Sequence, residues 1–408
     1  MNPALAPFRV RSFRFQWPAD LCTSLSFEAD MLILGWYILA TTGSVEQLVA
    51  FGAIIWVGSA FSPFLGMAGD RIGLRALLCI TRALYAVLAC TLTILTLSEA
   101  LRPWHVFVIM GIAGLIRPSD QAIRNLLVGQ TMRPEMLMGA LGLSRSTQDI
   151  AKVTGALLGA GGVVLFGMGP AYVVVTALYV TSFFLSLGVA TSPRHASHFR
   201  DVLTRVKDAA RYVWSKDDLL GSFSIALLVN LLAYPFILGL LPYAAKEVYG
   251  IGQSGLTYLA LAFAVGALTG SVLVGANRVP LRAGRSMLWN SALWFLTIVV
   301  FGQTSWLPLG LAMLFLMGVT QSFCLLPVAA VMIRTSSEEM RARVMGIRVL
   351  AIWGLPIGLL AAGPIIARLG YPACTLLYAG LGLAATFAIG YRWRGALWQI
   401  SAPANTRG

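Results

Sequence analysis

Charge is scarce in this sequence. Asp, Glu, Lys and Arg make up 11% of its 408 residues, where a soluble domain carries roughly a quarter. Hydrophobic residues reach 58% and the mean hydropathy is +0.79, which excludes an ordinary soluble enzyme and indicates a membrane protein. Histidine is rarer still: His105, His195 and His198 fall at the edge of an apolar run or in the central polar stretch, which disfavours a histidine proton relay. The five cysteines (Cys22, Cys79, Cys90, Cys324, Cys374) are widely spaced, in or beside apolar runs, without CxxC or zinc spacing. They read as free thiols packing as small hydrophobes. None of the four lysines has a G-x-x-x-x-G-K-[ST] context, and HExxH and GxSxG do not occur, so neither a P-loop, a metal nor any other cofactor is expected and the chain does not read as an enzyme. Gly380-Leu-Gly382-Leu-Ala-Ala385 looks like a dinucleotide turn but lies inside an apolar run, where it reads as helix packing.

What the sequence does have is apolar runs of spanning length, about 20 residues each. Twelve are separated by polar breaks: 15–40, 46–68, 76–97, 104–127, 137–165, 169–190, 219–243, 252–275, 286–303, 308–333, 344–367 and 371–391. Arg9, Arg11 and Arg14 precede the first, but that run is span-length and carries acids, so it reads as a span and not as a cleaved signal. The expected fold is an all-α membrane protein of twelve transmembrane helices in two six-helix bundles, residues 1–191 and 219–408. A polar linker at 192–218 joins them, partly as an amphipathic helix at the interface. With the N-terminus cytoplasmic, only Arg102, Lys246 and Arg368 of the 30 basic residues fall in outer loops. That positive-inside bias places both termini in the cytoplasm. It also accounts for a pI near 10.0 without nucleic acid, because the basic residues are scattered over separate loops.

The halves are weakly alike. Asp70-Arg71 with Arg75 corresponds to Asn277-Arg278 with Arg282, and Glu135-Met136 before Gly142 corresponds to Glu339-Met340 before Gly346. Such duplication suits two bundles that rock about a site at their interface. The segment Gly66-Met-Ala-Gly-Asp70-Arg71-Ile-Gly73-Leu-Arg75 resembles the signature loop of the major facilitator superfamily. Arg341-Ala-Arg343-Val-Met-Gly346 and the Phe13-Arg14 pair resemble its drug and siderophore exporter branch. The resemblance implies secondary transport by a monomer in a bacterial inner membrane. It also implies a cytoplasmic latch of Gly66, Asp70, Arg71, Gly73 and Arg75, with Arg341 and Arg343 as partners of Asp70. The chain departs from the pattern in span 5, where Gly155-Ala156 stands for a frequent Gly-Pro, and span 4 lacks the Arg-x-x-Gln-Gly of many proton-coupled relatives.

Ionisable residues inside spans are costly and mark cavities or partners. Nearly all are in the first half. Glu28 and Asp30 in span 1 lie about 200° apart around a helix, so both cannot face one narrow cavity; Asp30 is favoured for proton exchange, as an acid near that point resembles the exporter branch. Arg117, Asp120, Gln121 and Arg124 share a face of span 4, with Asp120 and Arg124 an i, i+4 pair. A substrate or gating role for Arg117 and Asp120 competes with an internal ion pair, and Arg124 reads as an interface anchor. Arg145, Asp149 and Lys152 form a stripe on span 5. The proton-coupling candidates are therefore Asp30, Glu28, Asp120 and Asp149, and the cationic substrate candidates Arg117, Arg145 and Lys152 with the amide Gln121. The second half offers Asn230, Tyr234, Asn290 and Gln321, with Trp289, Trp294, Trp353 and Arg348 beside them. The expected function is proton-driven export of a small organic molecule, with the bilayer, protons and that molecule as partners. Uptake or facilitated transport of a polar or anionic solute, a lipid flippase and a non-transporting scaffold are the alternatives.

Overall fold

Within the described residues, each expected span falls on helix. The computed structural model describes residues 3–58, 72–132, 134–190, 199–275, 282–337 and 339–398, and every regular element among them is helical. The chain divides into two compact units, Met1–Val202 with Ile251–Thr257 and Leu203–Gly250 with Tyr258–Gly408.

In the first unit, α1 (Arg11–Thr42) follows a 3-10 turn, Pro3–Arg9. Gly43 stops it in the left-handed region (φ 63°) and returns its N–H to the Leu39 carbonyl. Ser44 then caps α2 (Val45–Val57), its Oγ accepting from the Gln47 N–H at 3.2 Å. After α3 (Leu74–Leu97) comes α4 (Pro103–Thr131), where His105 Nδ1 accepts from the Arg102 N–H at 3.0 Å. The helix continues through Pro118 without interruption. α5 (Pro134–Ala156) runs on through a π-helical turn, Leu157–Gly161, into Gly162–Phe166, and α6 is Met168–Ser186. Individual side chains in α4 and α5, among them those of Gln121, Arg145 and Asp149, lie outside the described set, as do Gly66, Asp70 and Arg71.

In the second unit the linker helix α7 (Phe199–Trp214) precedes α8 (Asp217–Leu232). The seventh span was expected unbroken to residue 243, but it splits into short turns at Pro235–Leu238 and Leu241–Tyr243 and a π-turn at Ala244–Val248. Pro235 and Pro242 each lack an N–H for the ladder and crowd the preceding turn. α9 (Gln253–Gly275), α10 (Ala283–Gln303) and α11 (Leu307–Thr335) follow. α12 (Arg341–Leu350) tightens to 3-10 at Ala351–Trp353 and resumes as Gly354–Leu369. α13 is Tyr371–Arg392, and a last turn, α14, is Arg394–Leu397. Among the described residues, seven helices have the length and hydropathy to cross a membrane, five of them in the second half of the sequence.

The internal duplication is written in the glycines. Gly167 and Gly370 both take φ 84°, and each begins the sixth helix of its half. Only glycine adopts that conformation without strain. Gly155 and Gly159 press α5 onto the backbone of α1 at Leu25 and Ala29, as Gly354 and Gly358 press α12 onto α8 at Leu227 and Leu231. The departure Gly155-Ala156 therefore keeps the glycine that the α1 contact requires.

Two predictions follow from these contacts. A Cβ at Gly358 would collide with the Leu231 carbonyl, whereas one at Gly380 meets nothing within 4 Å. Gly358→Ala should therefore destabilise the detergent-solubilised protein by about 1–3 kcal/mol, while Gly380→Ala leaves it unchanged or raises it by up to about 1 kcal/mol; thermal unfolding of the pair checks this. The second concerns the linker, where Lys216 Nζ donates to Tyr212 Oη at 2.8 Å and to the Thr335 carbonyl at 3.1 Å, and the Ser337 N–H donates to Tyr212 Oη at 3.1 Å. The hydrogen bond from Lys216, then those from Ser337, pull the Tyr212 phenol down to about 8. An acid depressed by folding stabilises the docked linker fully above its free value near 10, and that contribution is lost as pH falls through about 8. An ultraviolet pH titration should show one tyrosine ionising near 8 that is missing from Tyr212→Phe.

Candidate functional site

Two polar constellations lie inside the first unit. The first is a buried charge cluster. Arg82 on α3 is fully buried and binds two aspartates: Nη2 lies 2.7 Å from Asp20 Oδ1 on α1, and Nε 3.2 Å from Asp120 Oδ1 on α4. Arg124 completes it, 2.5 Å from Asp120 Oδ2 and 3.4 Å from Asp20 Oδ1. Two acids and two guanidiniums give no net charge, which is what a low-dielectric site tolerates. Neutral groups add hydrogen bonds around it. Arg82 Nη1 donates to Ser182 Oγ on α6 at 3.0 Å, Arg124 Nη1 to Ser24 Oγ at 2.9 Å, and Gln16 Nε2 to the Arg124 carbonyl at 2.9 Å.

The expected i, i+4 pair of Asp120 with Arg124 is present, but Arg124 is not an interface anchor: it is 7% exposed and paired on both sides. Asp20 and Arg82 were missed by the sequence reading. The available signal was an acid and a base each within an apolar run, Asp20 near the start of span 1 and Arg82 near the start of span 3.

The second constellation surrounds Asp30. It is buried within the apolar core of the unit, among side chains such as Ile33, Leu34 and Tyr85. Tyr179 Oη on α6 donates to Asp30 Oδ2 at 2.8 Å, while Oδ1 accepts no hydrogen bond. The Tyr172 hydroxyl is a close electrostatic neighbour, and the Tyr85 ring lies 5.6 Å from that of Tyr179. Arg117 reaches the same region from α4, stacked on Phe27 with the Trp56 ring 5.1 Å away. Glu28, half-buried on α1, is the acid that acts most strongly on Arg117, and Asp30 also feels its charge. Glu28 and Asp30 thus both act on Arg117, although they diverge around the helix.

Lys152 is half-buried on α5. Of the latch candidates, Gly73 begins α3 with φ 93°, and Arg75 Nη2 donates to the Leu187 carbonyl at 2.6 Å. Arg341 and Arg343 are exposed in the first turn of α12.

The second unit holds amides and aromatics. Gln321 Nε2 donates to Tyr234 Oη at 2.6 Å, and the Tyr234 ring meets Trp294 edge-on at 5.2 Å. Trp294 Nε1 and Gln321 Oε1 are buried without hydrogen-bond partners. Asn230 and Asn290 stand apart from this trio, each turning its amide N–H back to its own helix, at Ala226 and Ser286. Trp289 is 62% exposed on the outer face of α10.

The profile of the Major Facilitator Superfamily matches residues 17–287. Among solved structures, the chain is similar to the nucleoside transporter NupG, with a TM-score of 0.73 at 12% identity over 97% of this chain and 100% of that one. It is similar also to a peptide transporter POT in complex with sulfate, with a TM-score of 0.74 at 10% identity over 96% of each. The human organic anion transporter MFSD10 (TETRAN) gives a TM-score of 0.67 at 15% identity over 93% of this chain and 99% of that one. At such identities the likeness is one of fold. No curated protein matches the sequence.

Neutralising one member of the buried cluster strands the others. Arg82→Gln is expected to cost about 3–5 kcal/mol, read as a lowered thermal midpoint and reduced folded yield in detergent. Asp20→Asn added to Arg82→Gln should recover part of that loss, since it restores the charge balance.

Proposed function

Because this chain belongs to the Major Facilitator Superfamily, we propose that it is a secondary transporter exporting a small organic molecule, drug-like or siderophore-like, in exchange for protons. In this reading it works as a monomer by alternating access in a bacterial inner membrane, with both termini cytoplasmic. The observation that supports proton exchange is Asp30, a buried acid inside the first span whose Oδ2 accepts from Tyr179 and whose carboxyl has the Tyr172 hydroxyl beside it.

A proton on Asp30 removes the negative charge that would hold a cationic group of the solute, so proton and solute compete for it. That exclusivity is what exchange requires. Arg117, held on Phe27 and Trp56, is the group suited to orient a carboxylate at the other end of the solute, so a zwitterion or a carboxylate-bearing chelator fits the pair. Glu28 keeps Arg117 balanced when the site is empty. Asp120 takes a different role from Asp30: with a guanidinium on each oxygen, it serves the scaffold. The second half contributes hydrogen-bonding and aromatic surface through Gln321, Tyr234 and Trp294. Asp149, Arg145, Lys152 and Gln121 remain candidates on the same helices. The latch of Asp70 with Arg341 and Arg343 is part of the proposal on the strength of the sequence resemblance. Transport of an anionic solute in the opposite direction is the second reading, favoured by the cationic Arg117 held on Phe27 and Trp56.

The test is accumulation of a panel of fluorescent drugs and iron chelators in cells carrying the wild-type protein or Asp30→Asn, with and without a protonophore. Export by exchange is expected to give lower accumulation in wild-type cells, with the difference removed by the protonophore and by Asp30→Asn. Higher accumulation in wild-type cells establishes uptake. Wild-type behaviour of folded Asp30→Asn removes Asp30 from the mechanism.

A further inference from the structure

α10 and α13 pack antiparallel along their length, with Gly302 against Thr375, Gly382 against Phe295 and Gly390 against Leu288, and Gly284 meets Leu397 of α14. Where α10 begins and α13 ends, they part into a groove of about 590 Å³ on the outer face of the second unit. Its walls are apolar and open: Trp289 and Phe387 are each 62% exposed and Tyr391 is 76% exposed. Both helices are long and apolar enough to cross a membrane, so these walls face hydrocarbon.

The mouth of the groove is cationic. The Arg285 guanidinium stands 5.0 Å from the Trp398 ring, and that of Arg394 5.5 Å from the Tyr391 ring. Arg285 Nε is buried without a hydrogen-bond partner. No acidic residue lines the groove, and among the described residues no carboxylate lies within ion-pair distance of either arginine. The mouth is also rigid. The buried Leu397 wedges against Gly221 and Gly284, fixing the last turn to α8 and α10.

An apolar slot that ends in two unpaired guanidiniums flanked by aromatic rings is complementary to an acyl chain joined to a negatively charged headgroup. Arginine and tryptophan at the end of a span belong at headgroup depth, and basic clusters there attract anionic lipid. A free inorganic anion would satisfy the arginines and leave the apolar walls unused. An uncharged lipid would do the reverse.

We infer that this groove binds one anionic phospholipid, its acyl chain along Trp289 and Phe387 and its phosphate between Arg285 and Arg394. The site is separate from the charged residues of the first unit and does not depend on which solute is carried.

Native mass spectrometry of the full chain, titrated with phosphatidylglycerol or with phosphatidylcholine of the same acyl chains, tests it. The wild-type protein is expected to retain phosphatidylglycerol in preference, and Arg285→Gln with Arg394→Gln to reduce that preference by roughly 30-fold, from about 1 kcal/mol per basic residue. Gly390→Leu fills the groove and leaves both guanidiniums in place, so it too should lose the bound lipid; this variant decides the matter if the double variant does not fold. Arg368→Gln, which removes an exposed charge from the far end of α12, should retain the wild-type preference. Equal binding of the two lipids by the wild type, retention of phosphatidylglycerol by Gly390→Leu, or its displacement by equimolar inorganic phosphate would each overturn the assignment.

Discussion

A guanidinium with no exposed surface, Arg82, sits between aspartates from two other helices, and α1, α3 and α4 assemble around it. Burying four charges is tolerable only because they cancel and because each is hydrogen-bonded or ion-paired. That requirement fixes the register of the three helices: a slide of one turn, about 5.4 Å, would take Asp120 or Asp20 out of reach of Arg82. The contact of Ser182 with Arg82 brings α6 into the same arrangement. Asp30 is thereby held in place on α1 between elements that cannot shift independently. The scaffold uses up the charge of Asp20, Asp120, Arg82 and Arg124, and leaves Asp30 and Arg117 for chemistry.

The helices were legible in the sequence because the bilayer demands long apolar runs, and the runs declare themselves. Their breaks were less so: the interruption at Pro235 and the π-turn at Leu157–Gly161 depend on how the backbone is satisfied locally. Asp30 stood out as an acid inside a span, but its hydrogen-bond partner Tyr179 is 149 positions away, and no periodicity links them. The Asp120–Arg124 pair, four residues apart, was readable. Asp20 lies inside span 1 without a sequence neighbour to mark it, and Arg82 was counted among the basic residues that set topology. Only the three-dimensional meeting of α1 with α3, across 62 positions, turns those two terminal charges into one buried pair.

The two halves share a scaffold and differ in chemistry. Gly167 matches Gly370, and the Gly155/Gly159 contact on α1 matches that of Gly354/Gly358 on α8. These are positions where backbone geometry leaves no choice of residue. Where side chains are free to vary, the first unit has ion pairs and the second has the Gln321–Tyr234–Trp294 trio. A duplicated frame has therefore kept what close packing requires, while its polar interior has diverged.

The buried cluster also constrains biosynthesis. α1 reaches the translocon carrying Asp20, Glu28 and Asp30, each costing up to about 3 kcal/mol at the middle of a lone helix. The first counterion for Asp20 emerges from the ribosome only with α3, and the second only with α4. Until Arg82 has been made, α1 has no partner among the helices behind it that neutralises Asp20, and Arg124 adds a second only with α4. The order of synthesis, from the acid to the bases that match it, thus makes α1 the helix with an unmatched charge and α3 and α4 the helices that relieve it.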